Sequence, residues 1–573
     1  MTKTTRVDWA HDLFLPTLLF AALGGMTWAV RGCSGYGTVS GCVFAGVMWG
    51  TAWWFLAREP SGPPRRRYAS GWVVPALVIG VGMAGARGWM QWPHFFLGHM
   101  LTNEHTGTYV AIPKIYGFVW MFLAGVPWAG LGACLVAWCG SSRGLRPRDW
   151  GVRVACGVGG AALLQALFYA YPAFFLPAYR QYEDLYHNLA ANSALRKVIR
   201  DGDEAMIHLG LYLGFLLFEI VRRDWKNVVL IATVGVVNGA GWALCQAWKW
   251  APLVWPKGDF NYWRCWESSG GISIGVALGV AYFLVNRPMS ERERAAIAAR
   301  VSLAGPNFEG LLIYLGVTWS LGLVLREWLG GWGNLYFGAL VLAGAAYYFC
   351  GRNATVAGEL PDARPDSGFA PRLEPGAACL ALALLVGLYL PATQKPRFGF
   401  LYLAVVMICG WTWYRIGREK FDAERARTTP TAGDPRFERF GIGLGLLTGL
   451  GISIRSGLKG WFNIYMGNED YWSRVLWNIL GPTYLAMLVA LAAWTLLRPA
   501  SRAPSEPVGR HAYSLIWLVL IVQNVLAQLI TGPWSEWKEV AFSIYYLLLF
   551  FITATIVFHY HTLKSRGATT IAE

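Results

Sequence analysis

The chain has 573 residues, of which 55% are hydrophobic and only 14% are charged. A soluble protein carries about a quarter charged residues, so this composition excludes an ordinary water-soluble enzyme or binding domain. The mean hydropathy of +0.38, together with apolar blocks of about 18–24 residues that match a bilayer core of roughly 30 Å, predicts a multi-pass membrane protein.

The net charge of +16 does not predict a nucleic-acid partner, because of where the charges fall. With the N-terminus placed inside, most Lys and Arg lie in cytoplasmic loops and tails, for example at 65–67, 222–223 and 418–427. Membrane proteins show this positive-inside bias. It predicts cytoplasmic termini and residence in the cytoplasmic (inner) or plasma membrane, with membrane lipids as partners and no nucleic acid.

Sixteen apolar segments follow one another and predict an all-α polytopic fold of about sixteen transmembrane helices, paired as about eight hairpins. The first eight form an N-terminal half, 1–300, and the last eight a C-terminal half, 301–573. In chain order the segments lie near 13–30, 36–57, 70–87, 115–138, 154–177, 205–221, 227–247, 268–286, 308–327, 332–350, 376–392, 398–415, 441–457, 475–497, 513–531 and 539–559.

The connecting segments differ in composition between the two sides of the membrane. The outer segment 178–204 carries Tyr182, Leu185, Tyr186 and Leu189 at helical spacing, with charges between them. This pattern predicts an amphipathic helix at the outer interface, acting either as a lid over a cavity or as a packing element. The cytoplasmic linkers are rich in Pro, Gly and charge, and lie at 351–376, 416–439 and 498–510.

A motif is repeated in the C-terminal half. "GWGNLYFG" at 331–338 and "GWFNIYMG" at 460–467 are identical at five of eight positions, and Arg326 and Arg455 each precede the closing glycine by twelve residues.

Further copies of the motif lie in the N-terminal half. Gln246 precedes Gly258 by the same twelve residues, and looser copies start at Arg31 and Arg87. Because each copy is separated from the next by an even number of spans, we expect degenerate parallel repeats.

The polar residues of these copies would converge at the outer ends of the hairpins if the repeats gather round an axis. Arginine forks bind carboxylate and phosphate, and Trp faces suit sugar rings or bases. The chain is therefore interpreted as a transporter or flippase for an anionic solute, sugar-bearing and lipid-linked molecules included. The predicted ligand-binding residues are Arg31, Arg87, Gln246, Arg326, Trp332, Asn334, Arg455, Trp461 and Asn463.

Two other classes of function remain open. A membrane-embedded transferase working on the outer face would use Asp259, Asp470 or Glu104 as its acid or base. A structural or assembly protein without a small ligand would use the same Arg, Trp and Gly residues for snorkelling, for the aromatic belt and for helix packing.

A histidine-rich stretch offers weak candidates for a metal site. His94, His99 and His105 lie near Glu104, and zinc accepts both imidazole and carboxylate ligands. Their spacings of five and six do not align them on one helical face, so interfacial histidines are the default interpretation. No metal and no cofactor is predicted.

Overall fold

The structure is a computed structural model that describes residues 7–33, 39–58, 65–84, 92–140, 147–256, 261–295, 508–531 and 537–569, with six residues between 442 and 449. The described chain is mostly helical. A π-helical stretch at Ala10–Phe14 leads into the first helix. The elements are α1 (Leu15–Cys33), α2 (Val39–Ala57), α3 (Val73–Ala84), α4 (Trp92–Phe95), β1 (His99–Asn103), β2 (Thr108–Ala111), α5 (Ile115–Cys139), α6 (Pro147–Ala170), α7 (Pro172–Phe175), α8 (Glu183–His187), α9 (Leu195–Val221), α10 (Trp225–Cys245), α11 (Ala251–Val254), α12 (Tyr262–Val285), α13 (Val508–Thr531) and α14 (Trp537–Thr569).

Within the described residues, seven helices are long and apolar enough to cross a membrane: α1, α5, α6, α9, α10, α12 and α14. The apolar stretches of α2, α3 and α13 are shorter. The 12 residues of α3 span about 18 Å, less than the roughly 30 Å of a bilayer core. The chain is therefore a mostly helical, membrane-embedded protein, as its composition predicts.

The ten predicted spans that fall on described residues each overlap a helix. The other six lie wholly or largely outside the described residues. Several boundaries differ, among them those of α6 and α9. The span predicted at 154–177 ends at Ala170, just before Pro172, which lacks the N–H that a continuing helix would use. The span predicted at 205–221 begins ten residues earlier, at Leu195.

Segment 178–204 does not form the single amphipathic helix that its spacing predicts. It holds a 3-10 turn at Tyr179–Gln181, the short helix α8 and the first residues of α9. Asn192 accounts for the interruption, since its side-chain amide donates to the carbonyl oxygens of Leu185, at 3.3 Å, and Asn188, at 3.0 Å. Such side-chain to backbone bonds compete with continuous helix.

A short antiparallel hairpin is the exception to the predicted all-α fold. Strand β1 pairs with β2, and the register shifts between Leu101 and Asn103. The Asn103 side chain accepts the backbone N–H of His105, at 2.8 Å, and of Thr106, at 3.1 Å, which shapes the turn. Gly107 adopts a positive φ of 64°, a conformation that favours glycine.

Six of the described helices contact one another in a closed order: α1, α12, α10, α5, α3, α2 and α1 again. Another pair, α6 and α9, joins this ring through α5 and α10. Side chains that project between non-adjacent members therefore fill the interior of the ring.

The contact between α1 and α12 depends on glycine. A Cβ atom added at Gly24 would lie 2.1 Å from the backbone oxygen of Gly271, so the two backbones touch directly. Small residues permit such close approach between membrane helices. This contact brings the end of α1 beside the start of α12.

The chain divides into two compact units, 1–300 with 506–573, and 301–505. The sequence predicted halves at 1–300 and 301–573. In the structure, the C-terminal helices α13 and α14 pack against α1 and not only against each other. The shared core contains residues of α1, α13 and α14, namely Ala22, Met26, Ala29, Val30, Ala527, Phe542, Tyr546 and Leu549.

Candidate functional site

Tryptophan rings from five helices form a continuous chain that begins inside the helix ring and ends at Trp263, which is 40% exposed. In the described part of the chain, the centroid distances between successive rings are 5.8, 5.8, 4.9, 5.5 and 4.7 Å. Edge-to-face and stacked rings at these distances attract one another beyond the area that they bury. We call this set the Trp cluster; its members are Trp49, Trp28, Trp128, Trp242, Trp266 and Trp263.

A buried ion pair lies against the Trp cluster. The guanidinium of Arg31, at the end of α1, donates to the carboxylate of Glu267, near the start of α12, at 2.8 Å, and both side chains are 1% exposed. The Arg31 guanidinium also lies 4.7 Å from the ring centroid of Trp28 and 5.3 Å from that of Trp128. Carboxylate and ring faces together stabilise this buried charge.

A second cation reaches the cluster from the turn after α10. The 3-10 segment Gln246–Trp250 carries Lys249, whose ammonium lies 3.9 Å from the ring centroids of both Trp263 and Trp266. Its neighbours fix the turn, because Trp250 donates its indole N–H to the carbonyl oxygen of Phe96 at 2.8 Å. The cations of Arg31 and Lys249 are opposed by one carboxylate, that of Glu267. The surroundings of the Trp cluster therefore carry one positive charge in excess.

Three buried polar atoms of the cluster have no hydrogen-bond partner among the described residues: the Oε1 of Gln246 and the indole N–H groups of Trp28 and Trp242. The amide nitrogen of Gln246 does donate, to the carbonyl oxygen of Trp242 at 3.0 Å. Buried polar groups are normally bonded, so unmatched donors and acceptors at one place indicate groups available to a ligand or to water.

The opposite end of the ring holds another charged network. Arg67, which precedes α3, donates to both carboxylate oxygens of Asp224 at 2.8 Å and to the side-chain oxygen of Asn227 at 3.2 Å. Its Nε donates to the carbonyl oxygen of Gly140. Tyr68 donates its hydroxyl to the same Asn227 oxygen at 2.6 Å. We call this region the Arg67 end, and the end that carries the β-hairpin and Arg31 the hairpin end.

A second ion pair extends the network at the Arg67 end. Glu219 on α9 accepts from Arg153 on α6, at 2.5 Å, and from the side-chain amide of Asn227, at 2.9 Å. Along α10, the distance from Asp224 to Trp242 is 18 residues, or about 27 Å, close to the thickness of a bilayer core. Buried charges therefore lie at two levels of the bundle.

Two of the predicted ligand-binding residues lie together in the structure. Arg31 and Gln246 both belong to the surroundings of the Trp cluster. Arg31 differs from its predicted role in one respect, since its guanidinium is bound to Glu267. The others lie outside the described residues; they are Arg87, Arg326, Trp332, Asn334, Arg455, Trp461 and Asn463.

Of the three candidate acid and base residues, the structure describes only Glu104. Asp259 and Asp470 lie outside the described residues, and Glu104 is exposed in the turn of the β-hairpin. Glu219, a carboxylate that was not selected from the sequence, is buried against Arg153.

The histidine stretch does not gather its side chains round one point. The rings of His94 and His99 lie 6.0 Å apart, and His105 is exposed in the hairpin turn. Within the described residues, no group of three or more His, Cys, Asp or Glu is arranged to hold a metal ion. Burial, the nearby imidazole of His99 and the charges of Lys249 and Lys197 lower the pKa of His94.

Several residues of the cluster were not selected from the sequence. Trp28, Trp128 and Trp242 read equally well as belt residues, because a sequence does not show which way a helix is rotated. Lys249 was not selected either, although it lies in the segment between Gln246 and Gly258, and this position in the repeated motif is a signal that could have found it.

Comparison with protein-family models, curated proteins and solved structures gives no match. The class of protein therefore rests on the chain itself. It is a mostly helical membrane protein whose described unit holds a Trp cluster and two levels of buried ion pairs.

Proposed function

We propose that this chain is a multi-pass transporter or flippase for an anionic solute that carries a ring, and that the Trp cluster binds this solute. The observation that carries the proposal is the excess positive charge beside the Trp cluster, where the buried Arg31 and the partly buried Lys249 lie against Trp faces with the single carboxylate of Glu267. Charged side chains within membrane helices are costly and commonly mark a substrate path.

The chemistry of the cluster selects the solute. An anionic group would bind Lys249, whose ammonium has no hydrogen-bond acceptor among the described residues. A ring would stack on the Trp faces, and hydroxyl groups would bond to the Oε1 of Gln246 and the indole N–H of Trp242. Sugar phosphates, nucleotides and lipid-linked sugars combine these features.

The proposal includes a fold of about sixteen spans with parallel repeats and both termini in the cytoplasm. The overlap of ten predicted spans with helices supports it. Further support comes from the contact between α14 and the π-helical stretch that leads into α1, where the Nε2 atoms of His11 and His559 lie 2.9 Å apart. The start of the first helix and the end of the last are thus on one side.

Transport is favoured over the two alternatives by specific observations. A transferase needs an available carboxylate, and the cluster's Glu267 is bound to Arg31. A purely structural role accounts well for the Arg67 end, where the buried Arg67 and Arg153 each pair with a carboxylate. A purely structural role does not explain the Lys249 ammonium or the unmatched indole N–H groups of Trp28 and Trp242.

The test is ligand binding by the full-length protein purified in detergent. Thermal unfolding would be followed with inorganic phosphate, benzoate, glucose 6-phosphate, a nucleotide and a lipid-linked sugar, with glucose and choline as neutral and cationic controls. Lys249→Met removes the cation and keeps a long apolar side chain. We expect ring-bearing anions to raise the melting temperature, and Lys249→Met to weaken their binding about tenfold, which corresponds to about 1.4 kcal/mol.

Lys226→Met is the matched control, since Lys226 is partly exposed and pairs with Glu293 at the Arg67 end. It should bind ligands like the unmodified protein. Choline giving the larger shift, or Lys249→Met binding anions normally, would contradict the site. A bound anion that never enters proteoliposomes would contradict transport, and its chemical conversion would support the transferase instead.

A further inference from the structure

Four carboxylates are buried among the described residues, and three of them share one arrangement. Glu267, Asp224 and Glu219 are each paired with a buried arginine, namely Arg31, Arg67 and Arg153 in that order. The fourth buried carboxylate, that of Asp201 on α9, is the exception.

Asp201 is as buried as the others, at 1% exposure, but has no buried cation beside it. Its Oδ2 has no hydrogen-bond partner among the described residues. Its Oδ1 lies 3.6 Å from the Nε of Arg200, whose side chain is half exposed to solvent. A buried carboxylate without a close, desolvated partner is poorly stabilised in its charged form.

The charges around Asp201 come mostly from its own helix. Lys197 and Arg200 carry the opposite charge and Glu204 carries the same charge. The elements that pack against this end of α9 contribute Tyr169 from α6, which interacts with Asp203, and His99 from β1. Neither supplies Asp201 with a buried arginine of the kind that the other three acids have.

Other titratable side chains continue from Asp201 along one face of α9. His208, Tyr212 and Glu219 follow it at 7, 11 and 18 residues, which at 100° per residue is within about 20° of a single line. Tyr212 and Glu219 are buried, and the stripe is about 27 Å long. Such a stripe differs from the apolar face that packing alone requires.

We propose that Asp201 binds and releases a proton during transport, so that the transporter is proton-coupled. The coupling of protons to solute rests on the proposed transport function, whereas proton binding by Asp201 does not. When Asp201 takes a proton from water at the hairpin end, one O–H bond forms at the carboxylate and one breaks in the donor. The proton would leave along the face that carries His208 and Glu219, and one proton moving with one anionic charge makes that step electroneutral.

The first test needs no solute. Infrared spectra of the purified full-length protein, titrated between acid and neutral pH, would be compared between the unmodified protein and Asp201→Asn. We expect a carboxylic-acid C=O band that titrates and that Asp201→Asn removes. The control is Asp203→Asn, two residues along, where the carboxylate accepts from Gln165 at 3.0 Å; it should keep the band. If the same titrating band were present in Asp201→Asn, Asp201 would not be the group that binds the proton.

The second test measures coupling in proteoliposomes with a pH-sensitive dye inside. An inward gradient of glucose 6-phosphate or benzoate should drive proton entry in the unmodified protein and in Asp203→Asn, and not in Asp201→Asn. Asp201→Glu should restore proton entry, and it replaces Asp201→Asn if that variant does not fold. Solute entry without protons would overturn the coupling. Absence of solute entry, with the infrared band intact, would instead overturn the proposed function.

Discussion

The two ends of the helix ring use buried charge in different ways. At the Arg67 end, cations and carboxylates pair one to one, and Asn227 uses both its oxygen and its nitrogen to link Arg67, Tyr68 and Glu219. At the hairpin end, Arg31 and Lys249 face one carboxylate, and polar atoms of Gln246 and two Trp residues are unmatched. Unmatched polar atoms occur at both ends, since the Nδ2 of the buried Asn286, which accepts from Tyr68 through its Oδ1 at the Arg67 end, has no partner among the described residues. The two ends differ in charge instead: paired charges hold a structure together, whereas an excess cation is suited to bind an anion.

The largest effect is expected from breaking an ion pair at the Arg67 end, where the buried charges are paired. Asp224→Asn leaves the Arg67 guanidinium buried without its counter-ion, and breaking one side of a buried pair costs about 3–5 kcal/mol. The free energy of unfolding, measured by denaturant titration in detergent micelles, should fall by that amount. A fall below about 1 kcal/mol would mean that the Arg67 end is solvated, and the comparison between the ends would lose its basis.

The corresponding change at the hairpin end should cost less. In Glu267→Gln, the guanidinium of Arg31 keeps its contacts with the faces of Trp28 and Trp128, and cation–π contacts contribute up to about 2 kcal/mol when desolvated. We expect a loss of about 2 kcal/mol in the same unfolding experiment.

The same variant should also change ligand binding, in the opposite direction. Removing the carboxylate raises the excess positive charge, so an anion should bind about tenfold more tightly, or about 1.4 kcal/mol. Calorimetric titration would measure it. Weaker anion binding would show that Glu267 contacts the ligand itself.

A pair of amide substitutions sharpens the comparison further. Gln246→Leu removes an unmatched Oε1 together with one bond to Trp242, so the unfolding free energy should change by less than about 1 kcal/mol while ligand binding weakens. Asn227→Leu is the matched change at the Arg67 end. It should lower the free energy of unfolding by about 2–4 kcal/mol, because Tyr68 and Glu219 each lose a buried hydrogen bond. Equal costs in the two variants would contradict the distinction.

The sequence predicted the helices and the polar helix ends, and these depend on local composition. Arg31 and Gln246 were selected from their places in a repeated motif, and both lie at the Trp cluster. The partner of Arg31 was not predictable, because Glu267 is 236 residues away and is brought near by the close contact of Gly24 with Gly271. A single sequence does not specify such tertiary contacts.

Other parts were missed for different physical reasons. Strands β1 and β2 are too short for a hydropathy window of membrane length, although Met100 and Thr102 alternate inward. The sequence does not show whether the rings of Trp28 and Trp128 face lipid or the interior, since helix rotation is set by packing. The repeat copies at Arg326 and Arg455 lie outside the described residues, so the repeat stays a prediction.

The smallest effect tests the positive charge of the hairpin end directly. Burial, His99, Lys249 and Lys197 all lower the pKa of His94, so the folded protein binds this proton less readily than the unfolded chain. The unfolded chain therefore takes up more protons as the pH falls below about 6.5, and stability falls with it. Lys249→Met removes one of these charges and should raise the His94 pKa, with a smaller loss of stability between neutral and mildly acidic pH. Nuclear magnetic resonance of the labelled imidazole would measure the pKa, and Lys226→Met should leave it unchanged. An unchanged His94 pKa in Lys249→Met would mean that the ammonium of Lys249 is too far from His94 to act on it. The positive charge of Lys249 would then be screened from the rest of the hairpin end.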